Sequence, residues 1–203
     1  MKYINGSAYD IELVPLFANN EGLPKVYNNT INQHQDADII IFIHDDIILN
    51  DIMLFDKLLA AKDAGLDIVG VAGAKGYEVP DINQPTGWWS PPNAKFGFAG
   101  QVCHYDAEKG CYFTTSYGPA PQRVLVIDGC FIAIMRSALD KGLRFNEKFN
   151  FDFYDIALCM DAYKQGLKVG VSPIMLTHNS IGRGFLKPSF LEAQRLFVSE
   201  YFS

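Results

Sequence analysis

The chain has 203 residues, 49% hydrophobic and 20% charged, which supports one sizeable core and excludes a disordered polypeptide. Lys and Arg number 17 against 23 Asp and Glu, a formal net charge of −6 with no basic cluster, which excludes a broad nucleic-acid-binding face. A phosphate compound would need a metal or a few local basic groups as its counter-charge. No 18-residue apolar run exists, and MKYINGSAYD lacks the apolar stretch of a signal peptide, so the expectation is a soluble, cytoplasmic protein. Cys103, Cys111, Cys130 and Cys159 form no CxxC pair and read as reduced thiols; Cys103 and Cys111 would pair across a hairpin only in an oxidising compartment.

In chain order, IELVPLF (11–17) reads as a short strand and NNEG (19–22) as a turn. LPKVYNNTINQHQ (23–35) has the apolar spacing of a helix face, with Pro24 in its first turn. ADIIIFI (37–43) is a continuous apolar run, as in a parallel-sheet strand covered on both faces. Asn50 or Asp51 can cap a helix over roughly 51–64 that stops at Gly65, and DIVGVAGA (67–74) is another buried strand. This β-α alternation predicts an α/β fold with an open, mixed, mainly parallel sheet flanked by helices, in a single domain over residues 1–203.

Residues 75–122 hold many Gly, Pro and aromatic residues, among them Gly87-Trp88-Trp89-Ser90-Pro91-Pro92. GFAGQVCHY and CYFTTSYG form two strands joined by DAEKG (106–110). VLVIDGCFIAIMRSAL (124–139) reads as strand, Asp-Gly turn, then a second apolar run. A helix begins at about 154 and ends at Gly166, LKVGVSPIMLTH (167–178) is a strand pair ending in His, and 190–200 is amphipathic.

The most informative stretch is the end of the 37–43 run, where Ile and Phe give way to His44-Asp45-Asp46. Ligands of open α/β sheets bind beyond the carboxyl ends of strands. Alternation along the strand would send His44 and Asp46 one way and Asp45 the other. A His and a carboxylate at one spot suit a borderline divalent cation such as Mn²⁺, and a cation would let an acidic protein hold a diphosphate. The plainer reading is that the two Asp cap the following turn.

FIHDDI (42–47), VIDGCFIAIMRSAL (126–139), FNEKFNFDFYDIALCMDAYKQGLKVGV (145–171) and LTHNSIG (176–182) occur in an order that resembles GT-A-fold glycosyltransferases, the nucleotide-diphospho-sugar transferases, and most closely glycosyltransferase family 2. The resemblance implies Mn²⁺ or Mg²⁺ held by Asp46 and His178, with His44 where the family usually has its first Asp. It implies Asp155 as the catalytic base of an inverting transfer, with Asp152 as a neighbouring competitor. Where the family pattern has a second acid, this chain has Ala157. Asp45, Asn19, Asn20 and Asn28 fall near the nucleotide contacts. Asp128 and Gly129 would meet a sugar hydroxyl, Trp88 and Trp89 would stack on a sugar ring, and Arg183 with Lys187 would close on the diphosphate. For each, a structural alternative stays open: a helix cap for Asp155, turns for the Asn residues and Asp128-Gly129, loop packing for the indoles, a solvated basic tail for Arg183 and Lys187.

The family opens with a strand and helix that this chain lacks before IELVPLF, so the expectation is N-terminally short. A fragment, a branch that lost the unit, or a partner subunit covering the sheet edge as a homodimer would each account for this. The reading is a metal-dependent glycosyltransferase with a UDP- or GDP-linked donor and a saccharide or lipid-linked acceptor, cytoplasmic or peripheral to the membrane. The rivals are a non-catalytic carbohydrate- or nucleotide-binding module and a nucleotidyltransferase.

Overall fold

A computed structural model of the chain describes residues 9–180 and 187–203. Two mixed sheets carry the fold. The first has the order β1 (Ile39–Ile43), β9 (Phe131–Met135), β3 (Ile68–Gly70), β10 (Val169–Val171), β7 (Gln122–Arg123). The second runs β2 (Ile47–Leu49), β11 (Leu176–His178), β5 (Phe98–Asp106), β4 (Ala72–Ala74), β8 (Val126–Ile127), with β6 (Cys111–Gly118) also paired to β5. The helices are α1 (Leu23–Gln33), α2 (Leu54–Asp63), α3 (Arg136–Asp140), α4 (Tyr154–Lys164) and α5 (Pro188–Tyr201). None is long and apolar enough to cross a membrane among the described residues.

The mixed sheet with flanking helices agrees with the α/β expectation, but "mainly parallel" is corrected. Only β3–β10 and β5–β11 pair in parallel among the described strands; the other seven pairings are antiparallel. The apolar run of β1 reports covered faces, not strand direction. β1 lies at the end of its sheet, antiparallel to β9, with Ile40 and Phe42 buried. Tyr27 of α1 stacks on Phe42 at 4.3 Å between ring centroids, so the helix supplies the cover. Arg136 fixes the entry to β1 by donating to the carbonyls of Ala37 and His34.

A second correction concerns residues 11–17, which form no strand. A strand needs a ladder partner, Pro15 removes one donor, and no described strand pairs here. Leu13, Leu16 and Phe17 are exposed, and the segment is held near its start, by Tyr9 to Asp56 and by Glu12 to His34. The helix over 51–64 begins at Leu54, because Asp51 caps the preceding turn by accepting from Met53 N at 2.9 Å. The hairpin over 98–118 forms as read, but Cys103 faces Thr114 and Cys111 faces Asp106, so its two thiols are out of register and free.

The strand over 67–74 is split. At Val71 the chain passes from the first sheet to the second, and Gly100 makes the join possible. Its φ is +89°, and a Cβ there would lie 2.0 Å from the Val71 carbonyl oxygen.

Segment 78–97 is built around three buried polar side chains. Asn93, fully buried, accepts from Glu78 N at 2.6 Å and donates to the Gly87 carbonyl at 3.1 Å. Ser90 Oγ accepts from Gly87 N. Gln194 of α5, also fully buried, accepts from Thr86 N at 2.7 Å and donates to the carbonyls of Asp81 and Gln84. Truncating Gln194 leaves buried backbone groups unpaired, at about 1–3 kcal/mol for each group that water does not reach. Gln194→Ala is therefore expected to lower unfolding free energy by about 2–4 kcal/mol in denaturant titration; a change below about 0.5 kcal/mol would contradict this account of the loop.

Candidate metal and catalytic site

The candidate site forms where β1 ends and β11 ends. After Ile43 the chain turns, closed by Ile47 N donating to the His44 carbonyl, so His44 and Asp46 converge through a turn and not through strand alternation. The antiparallel β2–β11 register sets His178 opposite Ile47. Asn179 N donates to the Asp46 carbonyl at 2.8 Å and locks the two segments together. As a result one ligating atom each from His44, Asp46 and His178 lies within 4.8 Å of the others. His178 Nε2 is 3.2 Å from Asp46 Oδ2, while Asp46 Oδ1 is buried with no hydrogen-bond partner among the described residues.

An unpartnered buried carboxylate oxygen is costly unless a cation meets it. Two imidazoles and a carboxylate suit a borderline divalent ion better than Mg²⁺, which prefers an all-oxygen shell. The outer contacts also suit ligation. Tyr154, fully enclosed, donates its hydroxyl proton to the Gly129 carbonyl at 2.8 Å and therefore accepts from His44 Nε2 at 2.9 Å. That tautomer leaves His44 Nδ1 as the basic nitrogen. Burial holds the His44 pKa below its ordinary value, and the Asp128, Asp46 and Asp45 charges only partly offset this, so the neutral, ligating form is favoured.

Asp155 sits in the first turn of α4, entered through Phe153 in the left-handed conformation (φ 66°). This sparsely populated geometry persists because the Phe153 ring is clamped against Phe190 and Phe197, at 5.0 and 5.2 Å. Asp155 keeps a partial opening to solvent but is enclosed on most sides. Desolvation, then repulsion from Asp128, push its pKa up to about 7. Donation from Ile156 N at 2.8 Å limits the rise. Gly129 is required here, since a Cβ would come within 2.4 Å of Tyr154 Oη and 3.1 Å of Asp155 Oδ2. The close approach at Gly129 is thus made by the chain's own α4. Asp152 instead accepts from Ser189 of α5 at 3.1 Å.

Asp128 accepts from Cys130 N through Oδ1 and from Trp88 Nε1 through Oδ2, at 3.0 and 3.1 Å. Trp88 is 1% exposed and packed against Trp89, Phe98 and Tyr117, so its faces are not open to a sugar; it orients Asp128. Trp89 is 36% exposed. Asn28 is buried, donating to Phe145 O and Glu147 and accepting from Phe145 N, which makes it a clamp between α1 and the 145–147 turn. Asn19 closes a turn on Glu21, and Asn19 and Asn20 line a surface cleft. Asp45 is exposed, and Ala157 is fully buried in α4. Arg183 lies outside the described residues; Lys187 precedes α5 and is exposed.

Three residues of the site went unread in the sequence. Tyr154 orients His44. Phe151 stacks on the His44 ring at 5.7 Å. His104 is level with His178 in the parallel β5–β11 register, its ring 5.9 Å away, donating from Nδ1 to the Ser180 carbonyl at 2.8 Å and stacked on Phe113. Only the neighbour of Asp155 left a trace in the sequence, since Tyr precedes the acid within the resembling motif.

With this geometry in place, comparison with known proteins identifies the family. The model of the glycosyltransferase-like family covers residues 5–182, and the chain belongs to that family. No curated protein matches the chain.

The raised pKa of Asp155 makes a stability prediction. An acid whose folded pKa lies above its ordinary 3.8 gives a native state that is most stable at low pH and loses stability as pH rises to about 7. Asp155→Asn, which cannot ionise, should gain stability over the parent by about 1–3 kcal/mol between pH 5 and pH 8. Parallel pH dependences of parent and variant in thermal unfolding would contradict a desolvated Asp155.

Proposed function

We propose that the chain is a cation-dependent, inverting glycosyltransferase that moves a sugar from a UDP- or GDP-linked donor to a saccharide or lipid-linked acceptor. The observation that carries this reading is the convergence of His44, Asp46 and His178 around an Asp46 oxygen that is unpartnered among the described residues, with the desolvated Asp155 carboxyl beside the same Gly129–Tyr154 contact. Family membership supports the class of reaction.

In this reading Asp46, His178 and His44 hold Mn²⁺ in preference to Mg²⁺. Bound there, the cation supplies Lewis-acid stabilisation of the departing diphosphate. Asp155 takes the proton of the attacking acceptor hydroxyl. The new bond forms at the anomeric carbon as the bond to the diphosphate oxygen breaks, on the opposite face. A pKa of about 7 suits the task, because the carboxylate is both available and basic near neutrality. Asp128, oriented by Trp88, would accept from a sugar hydroxyl, and Trp89 would offer an aromatic face. Asp45, Asn19 and Asn20 are assigned to the nucleotide, and Arg183 to the diphosphate on sequence grounds alone. Ala157 favours a non-catalytic binding module as the second reading; the elevated Asp155 speaks for catalysis.

Calorimetric titration of UDP and GDP, with and without Mn²⁺, tests the proposal. Binding of at least one nucleotide should require Mn²⁺ and fall at least about tenfold in Asp46→Ala, the effect of removing a charged ligand. Metal-independent binding, or no binding to either nucleotide, would overturn it.

A further inference from the structure

We infer that His104 is a positioning residue of the cation site: by holding the Ser180 carbonyl it fixes the chain just beyond His178 and so aims the His178 ring at Asp46. The inference rests on the proposed cation site and adds a residue outside the ligand group, since the ligating atoms within 4.8 Å of one another come from His44, Asp46 and His178. The strand that carries His178, β11, has three residues and ends at His178, so its ladder stops at the side chain it must aim. β5 is the rail beside it. It runs nine residues, pairs with β6 from Gly100 to Asp106, and meets β11 at Cys103 and His104. Side chains level across a strand pair share a face, so the His104 and His178 rings lie side by side, 5.9 Å apart.

The chain after His178 is tied in two directions. Asn179 N donates to the Asp46 carbonyl at 2.8 Å, toward the turn. The Ser180 carbonyl accepts from His104 Nδ1 at 2.8 Å, toward β5. A carbonyl only accepts, so Nδ1 carries the proton. His104 is itself held in place. Phe113, its partner in the β5–β6 register, stacks on it at 5.1 Å with 25° between the ring planes, and the His178 ring packs against it from β11. A ring braced by two neighbours gives its hydrogen bond one direction. Ligand constellations hold a metal only when kept within about 0.5 Å of the productive geometry, and His178 Nε2 stands 3.2 Å from Asp46 Oδ2. His104 thus serves the site through Ser180, as an outer contact that orients a ligand.

Mn²⁺ alone, titrated calorimetrically into the parent and into His104→Ala, His104→Asn and His104→Gln, tests this, with thermal midpoints checking that each variant folds. Asn places an amide N–H near the position of Nδ1, whereas Gln places its polar end near that of Nε2. In His104→Ala, Mn²⁺ binding is expected to weaken about tenfold, the lower end for loss of an outer contact at a metal site. His104→Asn should return to within about threefold of the parent, and His104→Gln should stay as weak as the Ala variant. Affinity of the Ala variant within about twofold of the parent overturns the inference. So does recovery by Gln, which would assign the effect to Nε2 and make His104 a ligand. An Asn variant as weak as the Ala variant also overturns it, because only ring packing would then matter. The comparison of Asn with Gln decides the matter even where the Ala variant fails to fold. A parent that does not bind Mn²⁺ overturns the cation site itself and the proposed function with it, whereas failure confined to the variants leaves that site standing.

Discussion

The register of β2 on β11 is the constraint on which the site depends. It pairs Leu49 with Leu176, Ile48 with Thr177 and Ile47 with His178, and so brings the His178 ring over the turn that holds Asp46. A slip of one residue would turn His178 to the opposite face. Both strands are only three residues long, too short to fix register by their own ladder. The register is pinned from the side. Asp51, its side chain almost wholly buried, accepts from Met175 N at 2.8 Å, from Met53 N and from Lys57 Nζ. Asn50 N donates to the Met175 carbonyl, and its amide reaches Thr177 Oγ1. Asp51, five residues after Asp46, therefore holds in place the strand that delivers His178.

The same logic holds at the Asp155 carboxyl. α4 is steered by a left-handed residue, held down by aromatic packing under α5, and Gly129 makes room for its first turn. The segment over 78–97 reaches the site through the hydrogen bond from Trp88 to Asp128, and is fixed from behind by Asn93 and Gln194. Enclosure raises the affinity of Asp155 for a proton, and one imidazole is kept neutral by burial while its tautomer is set by Tyr154. Each is a property of the surroundings, not of the residue type.

Much of this was legible in the chain. The apolar run ending in His44-Asp45-Asp46, the strand ending in His178 and the helix opening at Asp155 all appear where their local patterns place them, because each is set by contiguous residues. What was illegible is non-local. Residues 11–17 carry strand composition but no strand, since a ladder partner is not written in a segment's own pattern. The direction of β1 follows from its neighbour β9, not from its five apolar residues. Asn28 and Trp88 are polar or amphipathic residues with binding-site chemistry, yet both are consumed by partners more than thirty residues away in sequence: Phe145 and Glu147 for one, Asp128 for the other. His104 enters the site only through the pairing of β5 with β11.

The central claim is that the buried Asp46 oxygen, unpartnered among the described residues, is one ligand of a cation shared with His178 and His44. Anomalous diffraction from crystals grown with Mn²⁺ tests it most directly. The account predicts one strong anomalous peak at roughly 2.0–2.3 Å from Asp46 Oδ1, from an imidazole nitrogen of His178 and from one of His44, by analogy with other small divalent ions. A peak bound elsewhere, or density showing Asp46 Oδ1 hydrogen-bonded to the protein with no ion nearby at saturating Mn²⁺, would contradict it.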